Sequence, residues 1–236
     1  MKELIGYLSG RRYPGRGILF GVTADGAHAV ASYFIMGRSV NSRNRIFVKT
    51  EDGILARPYD EALVTDPSLI LYAPVRRCGE ALIVSNGDQT DTICSFINNG
   101  GSFRSALFTR SYEPDAPHFT PRISGILQME NSHAQYMLSI LRKDTATMDC
   151  LRNFYGYTAV PAGTGHIIHT YEEGFDPLKP FAGEPAQVLL PEGSVEQFTD
   201  ALWNSLDVEN RISLYVSFFP LFGGTPVVQL RNAHDK

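Results

Sequence analysis

The first third of this chain is a succession of short β-branched and aromatic runs separated by turn residues, and that pattern constrains its fold more than any other feature. Residues 17–22, 27–36, 45–49, 69–73 and 81–85 each have the length and composition of a strand, with Ala24-Asp25-Gly26 as the hairpin turn between the first two. Read in order, they predict an antiparallel meander. Two helices follow as an α-hairpin. The first carries Ile93, Phe96 and Ile97 on one face and is closed by Asn98-Asn99-Gly100-Gly101; the second opens at Ser102 with Phe103, Ala106 and Leu107 on one side. Strand patterns return at 123–129, 135–141, 165–170 and 187–190. Another helix starts at Ser194, where Ser-x-x-Gln to Gln197 is a capping box ahead of the apolar stripe Val195, Phe198 and Leu202. Residues 211–219 and 226–230 close the chain as strands.

This order of strands, paired helices, more strands and a further helix predicts an α+β fold, with mainly antiparallel sheets carrying helices on their outer faces. A four-layer αββα sandwich fits it, although periodicity alone does not count layers and a single sheet with one helical face is also compatible. With 236 residues, 43% of them hydrophobic, the chain has enough apolar side chains for a sizeable core. No Pro/Ser-rich linker, low-complexity tract or internal repeat interrupts it, so residues 1–236 read as one domain. The net charge of −4 argues against non-specific nucleic-acid binding, which needs a strong positive field. The Met-Lys-Glu-Leu-Ile-Gly-Tyr start lacks the apolar core of a signal peptide, and the apolar-rich run 212–222 is too short to span a bilayer. A cytoplasmic protein without membrane partners is expected. Cys78, Cys94 and Cys150 are an odd number without CxxC spacing, and read as reduced, mostly buried thiols.

Polar chemistry concentrates in a few places. In Ser85-Asn86-Gly87-Asp88-Gln89-Thr90-Asp91-Thr92 a buried strand passes through a tight turn into a helix capped by Thr90 or Asp91. Such a turn aims backbone N–H groups and a helix N-terminus at one point, which suits an anion; a well-capped helix explains the same residues without a ligand. Gly37-Arg38-Ser39-Val40-Asn41-Ser42-Arg43-Asn44-Arg45 sets three arginines on a loop after a strand, a composition suited to gripping phosphate or carboxylate, or simply to solvation. His166 and His169 fall on opposite faces of one strand, which argues against a shared metal. No zincin, Walker A or dinucleotide fingerprint is present, so nothing points to a cofactor.

Taken together, Gly37-Arg38-Ser39 with Asn44-Arg45, the strand bearing Tyr72, Ser85-Asn86-Gly87 with Thr90-Asp91-Thr92, Tyr112-Glu113, and Thr120-Pro121-Arg122-Ile123 resemble the archaeal-type IMP cyclohydrolase family, in the same order and at similar spacing. The resemblance spans residues 17–125; residues 126–236 match only loosely, as in longer bacterial relatives. It implies a fold similar to the N-terminal nucleophile hydrolases, an αββα sandwich without self-cleavage, and the chain begins Met-Lys-Glu with no catalytic N-terminal Ser, Thr or Cys. It also implies the last step of purine biosynthesis, closure of 5-formamidoimidazole-4-carboxamide ribotide to IMP with loss of water, needing neither metal nor cofactor.

Carried over by position, the resemblance makes Arg38, Arg45, Tyr72 and Glu113 catalytic. An arginine stays protonated near neutral pH, so Arg38 and Arg45 are expected on the phosphate or the developing oxyanion, with Tyr72 and Glu113 handling protons. Ser39, Asn44, Asn86, Asp91, Thr120 and Arg122 are expected to bind the ribotide or brace those that do, Asp91 serving either as helix cap or as ligand. The Arg38-to-Arg45 loop is two residues longer than the archaeal pattern, which leaves Arg43 and Arg45 both open as the family's second arginine. A related enzyme acting on another amide ribotide, or a catalytically silent nucleotide-binding module, fits the same residues, and a homo-oligomer is compatible with all three readings.

Overall fold

A computed structural model describes residues 1–64, 71–172 and 178–235. In chain order the elements are β1 (Lys2–Glu3), α1 (Leu4–Ser9), β2 (Arg16–Val22), β3 (His28–Met36), a single helical turn α2 (Val40–Arg43), β4 (Ile46–Lys49), β5 (Gly53–Arg57), β6 (Tyr72–Cys78) and β7 (Ala81–Ser85). Then come α3 (Gln89–Asn98), α4 (Phe103–Phe108), β8 (Arg122–Glu130), β9 (His133–Lys143), β10 (Cys150–Tyr157), β11 (Thr164–His169), β12 (Ala186–Leu189), α5 (Val195–Ser205), β13 (Arg211–Pro220) and β14 (Val227–Asn232).

The strands form two sheets of seven, in the orders β1-β12-β11-β2-β3-β13-β14 and β10-β9-β8-β7-β6-β5-β4. All neighbours are antiparallel except β1 on β12. The expected opening meander is therefore divided. β2 and β3 form a hairpin in the first sheet; the chain then crosses over residues 38–45 into the second sheet, which is a sequential meander from β4 to β10 with α3 and α4 inserted after β7. The strand expected over 69–73 begins instead at Tyr72 and continues to Cys78. Its predicted first residues, Leu69 and Ile70, lie outside the described residues.

β3 shows why two sheets are needed. Its residues 29–36 are buried on both faces, so each face has its own cover. Ala29, Ala31, Tyr33 and Ile35 point into a core shared with the second sheet, among Phe47, Val84, Ile123 and Leu138. Val30, Phe34 and Met36 point the other way, into a second core with Leu4 and Leu8 of α1 and Phe198 and Leu202 of α5. The capping box predicted for α5 is present, with the Gln197 N–H donating to Ser194 Oγ at 3.2 Å. On the far face of the second sheet, α3 and α4 bury Ile93, Phe103, Ala106 and Leu107 against Ile83 and Leu141. Gly125 on β8 leaves the space that the Phe20 ring of the opposite sheet fills, where a Cβ would clash. Emptying that space by Phe20→Ala would cost about 3–5 kcal/mol.

Two local expectations are corrected. Neither Thr90 nor Asp91 caps α3: the helix starts at Gln89, and Thr90 turns inward so that its hydroxyl meets Ser85 Oγ at 2.6 Å. Cys78 and Cys94 are not free thiols; a disulfide joins the end of β6 to α3, with their Cα atoms 5.6 Å apart, and only Cys150 is free. The spacing of the two cysteines carried no sign of this, because a strand and a helix distant in pattern meet only through the packing of α3 on the sheet. Among the described residues no helix is long and apolar enough to cross a membrane.

Candidate active site

The start of β2, the end of β3, the start of β6, the end of β7 and the start of β8 all lie at one end of the two sheets. The pairings Gly17 with Phe34, Ala56 with Tyr72 and Ser85 with Ser124 fix this. The crossover between the sheets passes over the same end. A cleft of about 440 Å³ opens there, lined by Arg16, Arg38, Ser39, Arg45, Tyr72, Asn86, Asp88, Glu113, Thr120, Arg122 and Tyr171 among others. That volume lies within the ~300–1,000 Å³ typical of small-molecule sites.

The interior of the cleft combines buried charge with buried hydroxyls. Arg45 is 3% exposed; its Nε donates to the Ser42 carbonyl at 2.8 Å, which aims the rest of the guanidinium at the cleft. Burial, and then repulsion from Arg16, pulls its pKa below the usual arginine value. Tyr72 meets Tyr33 from the opposite sheet, hydroxyl to hydroxyl, at 3.0 Å. Burial raises the Tyr33 pKa well above that of a free tyrosine, so its proton is retained. Glu113 is 7% exposed, and among the described residues none donates a hydrogen bond to its carboxylate. Burial raises its pKa, with Arg16, Arg122 and Arg45 pulling against burial and Asp115 adding to it.

Around this interior the expected binding residues are held by their own networks. Asn86 Nδ2 donates to the Pro121 carbonyl at 2.9 Å, and its Oδ1 accepts from the Ile123 N–H at 2.9 Å and from Gln89 Nε2 at 3.0 Å. Asn86 therefore fastens the turn after β7 to the start of β8. Arg122 donates to Asp88 at 2.7 Å and to Gln89 Oε1 at 2.6 Å, so its charge is largely answered inside the protein. The Thr120 N–H and hydroxyl both face Asp115, and the hydroxyl lies 2.7 Å from Tyr171 OH. On the rim, Arg38 lies over the Tyr13 ring at 4.8 Å, and Tyr13 stacks on Tyr171. Ser39 caps the single turn α2 through a capping box with Ser42; the segment expected to be a plain loop is thus a helical turn flanked by Arg38 and Arg45.

Of the ten residues singled out in the sequence, eight line this cleft and two do not. Asn44 exchanges hydrogen bonds with the backbone of Asp60, each 2.7 Å long, and serves as a strut behind the crossover. Asp91 lies on the outer side of α3 in an ion pair with Arg76 at 2.9 Å. Arg45 rather than Arg43 faces the cleft; the Arg43 carbonyl instead sits 3.0 Å from His234. His166 and His169 do point to opposite faces, toward Tyr136 and Tyr7. The cleft also contains Arg16, Tyr13 and Tyr171, with Tyr33 behind it, none of which sequence reasoning chose. The only local sign of Arg16 is an arginine opening the otherwise apolar strand RGILFGV.

A larger opening, about 660 Å³, lies at the other end of the first sheet around Thr23, His28 and residues 191–195. Among the described residues no arginine or lysine lines it, and its carboxylates Asp25 and Glu192 would repel an anion, so it is less suited to an anionic ligand than the cleft.

Residues 13–220 match the family described as IMP cyclohydrolase-like protein. An IMP cyclohydrolase of Methanopyrus kandleri is 35% identical over 121 residues, which is 50% of this chain and 60% of that protein. One from Haloquadratum walsbyi is 32% identical over 119 residues, 49% of this chain and 56% of its own length. A third, from Methanothrix thermoacetophila, is 27% identical over 171 residues, 70% of this chain and 78% of its own length. The chain thus spans about 60% of the length of the first of these relatives. A match over 13–220 reaches from Tyr13 through the whole cleft to the last residue of β13, and the chain belongs to the IMP cyclohydrolase-like protein family.

Proposed function

We propose that this protein is an IMP cyclohydrolase that closes 5-formamidoimidazole-4-carboxamide ribotide to IMP in purine biosynthesis. The observation that carries the reading is the convergence of Arg38 and Arg45 of the crossover, Tyr72 of β6 and Glu113 after α4, from three separate segments, on one cavity in a chain of this family. The four-layer αββα arrangement similar to N-terminal nucleophile hydrolases belongs to the same proposal. Here the catalytic groups are internal side chains, with no self-cleavage.

Both reacting groups sit on the substrate's imidazole ring, so the enzyme need not bring two molecules together. The carboxamide nitrogen attacks the formyl carbon, forming the new C–N bond and pushing the carbonyl electrons onto oxygen. The nitrogen loses a proton, the oxygen gains one, and the hydroxyl then departs with a second nitrogen-derived proton as water while the ring C=N forms. Glu113, buried and without a hydrogen-bond donor of its own, is the proton carrier; its raised pKa brings both forms nearer to neutral pH. Tyr72, supported by Tyr33, donates toward the formyl oxygen. Arg38 at the rim takes the phosphate, its planar fork matching two phosphate oxygens. Arg45 stabilises charge as it develops in the drier interior, where a fixed guanidinium is worth more than in water.

Purified protein mixed with the formamido ribotide tests this directly: IMP should appear in proportion to enzyme. Binding without turnover would mean a nucleotide-binding module, and turnover only of a different amide ribotide would mean a related enzyme.

A further inference from the structure

Four arginines line the cleft, and three have partners that define what they do. Arg122 is answered by Asp88 and Gln89, Arg45 spends its Nε on the Ser42 carbonyl, and Arg38 rests on the Tyr13 ring at the rim. Arg16 is different. Its Nε is buried, and among the described residues it has no hydrogen-bond partner and no carboxylate within ion-pair distance. Its backbone is nonetheless fixed on both sides of the chain: the N–H donates to Thr170 Oγ1 at 3.1 Å, and the carbonyl accepts from the Thr170 N–H at 3.0 Å. A rigid strand terminus therefore holds a charged donor with unspent hydrogen-bonding capacity in the wall of the cavity, near Glu113, Tyr72 and Arg45. A buried donor left without an acceptor is disfavoured, and a ligand oxygen would relieve it.

We propose that Arg16 is a further catalytic residue, which together with Arg45 receives the formyl oxygen as negative charge builds on it during ring closure. This rests on the cyclohydrolase reading above. Its place in the cavity decides between oxyanion and phosphate. Arg16 shares the interior with the two groups assigned to proton transfer, whereas the phosphate is assigned to Arg38 at the rim. Desolvation works against the Arg16 charge, but the Glu113 carboxylate and the neighbouring tyrosine oxygens more than offset it, so the guanidinium stays charged throughout.

The formyl oxygen leaves as water and IMP does not contain it, which separates this role from phosphate binding. Arg16→Gln and Arg16→Lys should be compared with wild type in turnover of the formamido ribotide, in IMP affinity by calorimetry, and in thermal melting. Arg16→Gln is expected to lower kcat by ~100-fold or more, the size of effect seen on removing one oxyanion donor. IMP affinity should change by less than about 5-fold, because product binding does not use this contact. Arg16→Lys keeps a charge and loses the fork, so it should recover part of the rate; if Gln destabilises the strand, a Lys variant with wild-type melting and kcat lowered ~10-fold supports the same role. Unchanged kcat in both variants, with wild type active, overturns the role of Arg16 alone. Weakened IMP binding with unchanged kcat overturns it in favour of a phosphate contact. Wild-type protein that binds IMP but forms none from the ribotide overturns the cyclohydrolase reading, and the oxyanion role with it.

Discussion

Tyr33 of the first sheet and Tyr72 of the second join their hydroxyls at 3.0 Å in the space between the sheets. Tyr33 is fully buried and stacks on Phe47, so its ring is fixed, while Tyr72 also lines the cleft. The pair thus links core packing to the candidate site. Tyr33→Phe removes one hydroxyl from a buried pair and should cost about 1 kcal/mol of stability. It should also lower kcat several-fold, since the Tyr72 hydroxyl then turns without a guide. Tyr72→Phe should lower kcat further at a similar stability cost. Denaturant unfolding and steady-state kinetics on the two variants check both. A Tyr72→Phe enzyme with full activity would remove Tyr72 from the chemistry.

The pH dependence turns on Glu113. Burial raises its folded pKa above the unfolded value, against the pull of Arg16, Arg122 and Arg45. A carboxyl with a raised folded pKa binds its proton more tightly when folded, so it destabilises the fold as pH rises from the unfolded pKa through the folded one. Glu113→Gln removes that penalty. The variant should therefore melt higher than wild type near pH 7, with the gap closing once pH falls below ~4, the unfolded glutamate range. Its kcat should fall at every pH. A variant less stable than wild type at neutral pH would show that Glu113 is held by favourable contacts and is not a strained catalytic carboxylate.

How much of this was readable in the sequence depended on range. The β2–β3 hairpin, α3, α4 and α5 carry their period and punctuation locally, and they appear where the residues suggested. β10 was missed because Leu-Arg-Asn-Phe-Tyr-Gly-Tyr on a partly exposed sheet edge does not alternate, and β5 because its five residues, opened by Gly53, give too short a pattern. The split of the opening strands between two sheets could not be read at all. It is decided by pairings such as β11 on β2, which join residues more than 140 positions apart. The same holds in the site. Arg38 and Arg45 stand in a visibly polar segment, whereas Arg16 looks like part of a Pro-Gly-Arg-Gly turn and Tyr33 like an ordinary core aromatic. Asn44 and Asp91 were misleading for the converse reason: their polar neighbours are real, but they point to Asp60 and Arg76 instead of the cleft.

Arg38 and Arg45 should separate in kinetics. Arg38→Lys keeps a positive charge at the rim but loses the fork and the guanidinium's contact over the Tyr13 ring, so KM should rise by ~10-fold with kcat little changed. Arg45→Lys loses the Nε contact to Ser42 that aims the group, and kcat should fall by ~10-fold or more. Equal effects on KM in both variants would place both arginines on the phosphate.

Metal dependence is a separate question. Among the described residues no three of His, Cys, Asp and Glu are grouped to hold a metal ion, while the cleft holds guanidinium groups able to meet the charge of the proposed ribotide's phosphate. Turnover should survive exhaustive chelation. Activity lost to chelator and restored by one particular divalent ion would move the mechanism onto a metal.

Gly87 gives the most local test of the cleft wall. It sits between Asn86 and Asp88 at the turn from β7 into α3, and a Cβ there would lie 2.6 Å from Arg122 Nη1 and 2.7 Å from Gln89 Oε1. Both atoms belong to the hydrogen bond that ties Arg122 to the start of α3. Gly87→Ala therefore forces Arg122 off Gln89 and Asp88 and into the cavity, while the rest of the turn is still held by Asn86 on Pro121 and Ile123. The expected outcome is a loss of ~10-fold or more in kcat/KM with melting lowered only modestly, since a displaced guanidinium both crowds the ligand and brings an unanswered charge toward Glu113. A second substitution, Arg122→Ala, should restore part of the binding in the Gly87→Ala background, because it removes the group that was displaced. Full activity in Gly87→Ala would show that Arg122 has room to move away from the cleft. Loss without any rescue by Arg122→Ala would place the damage in the turn itself.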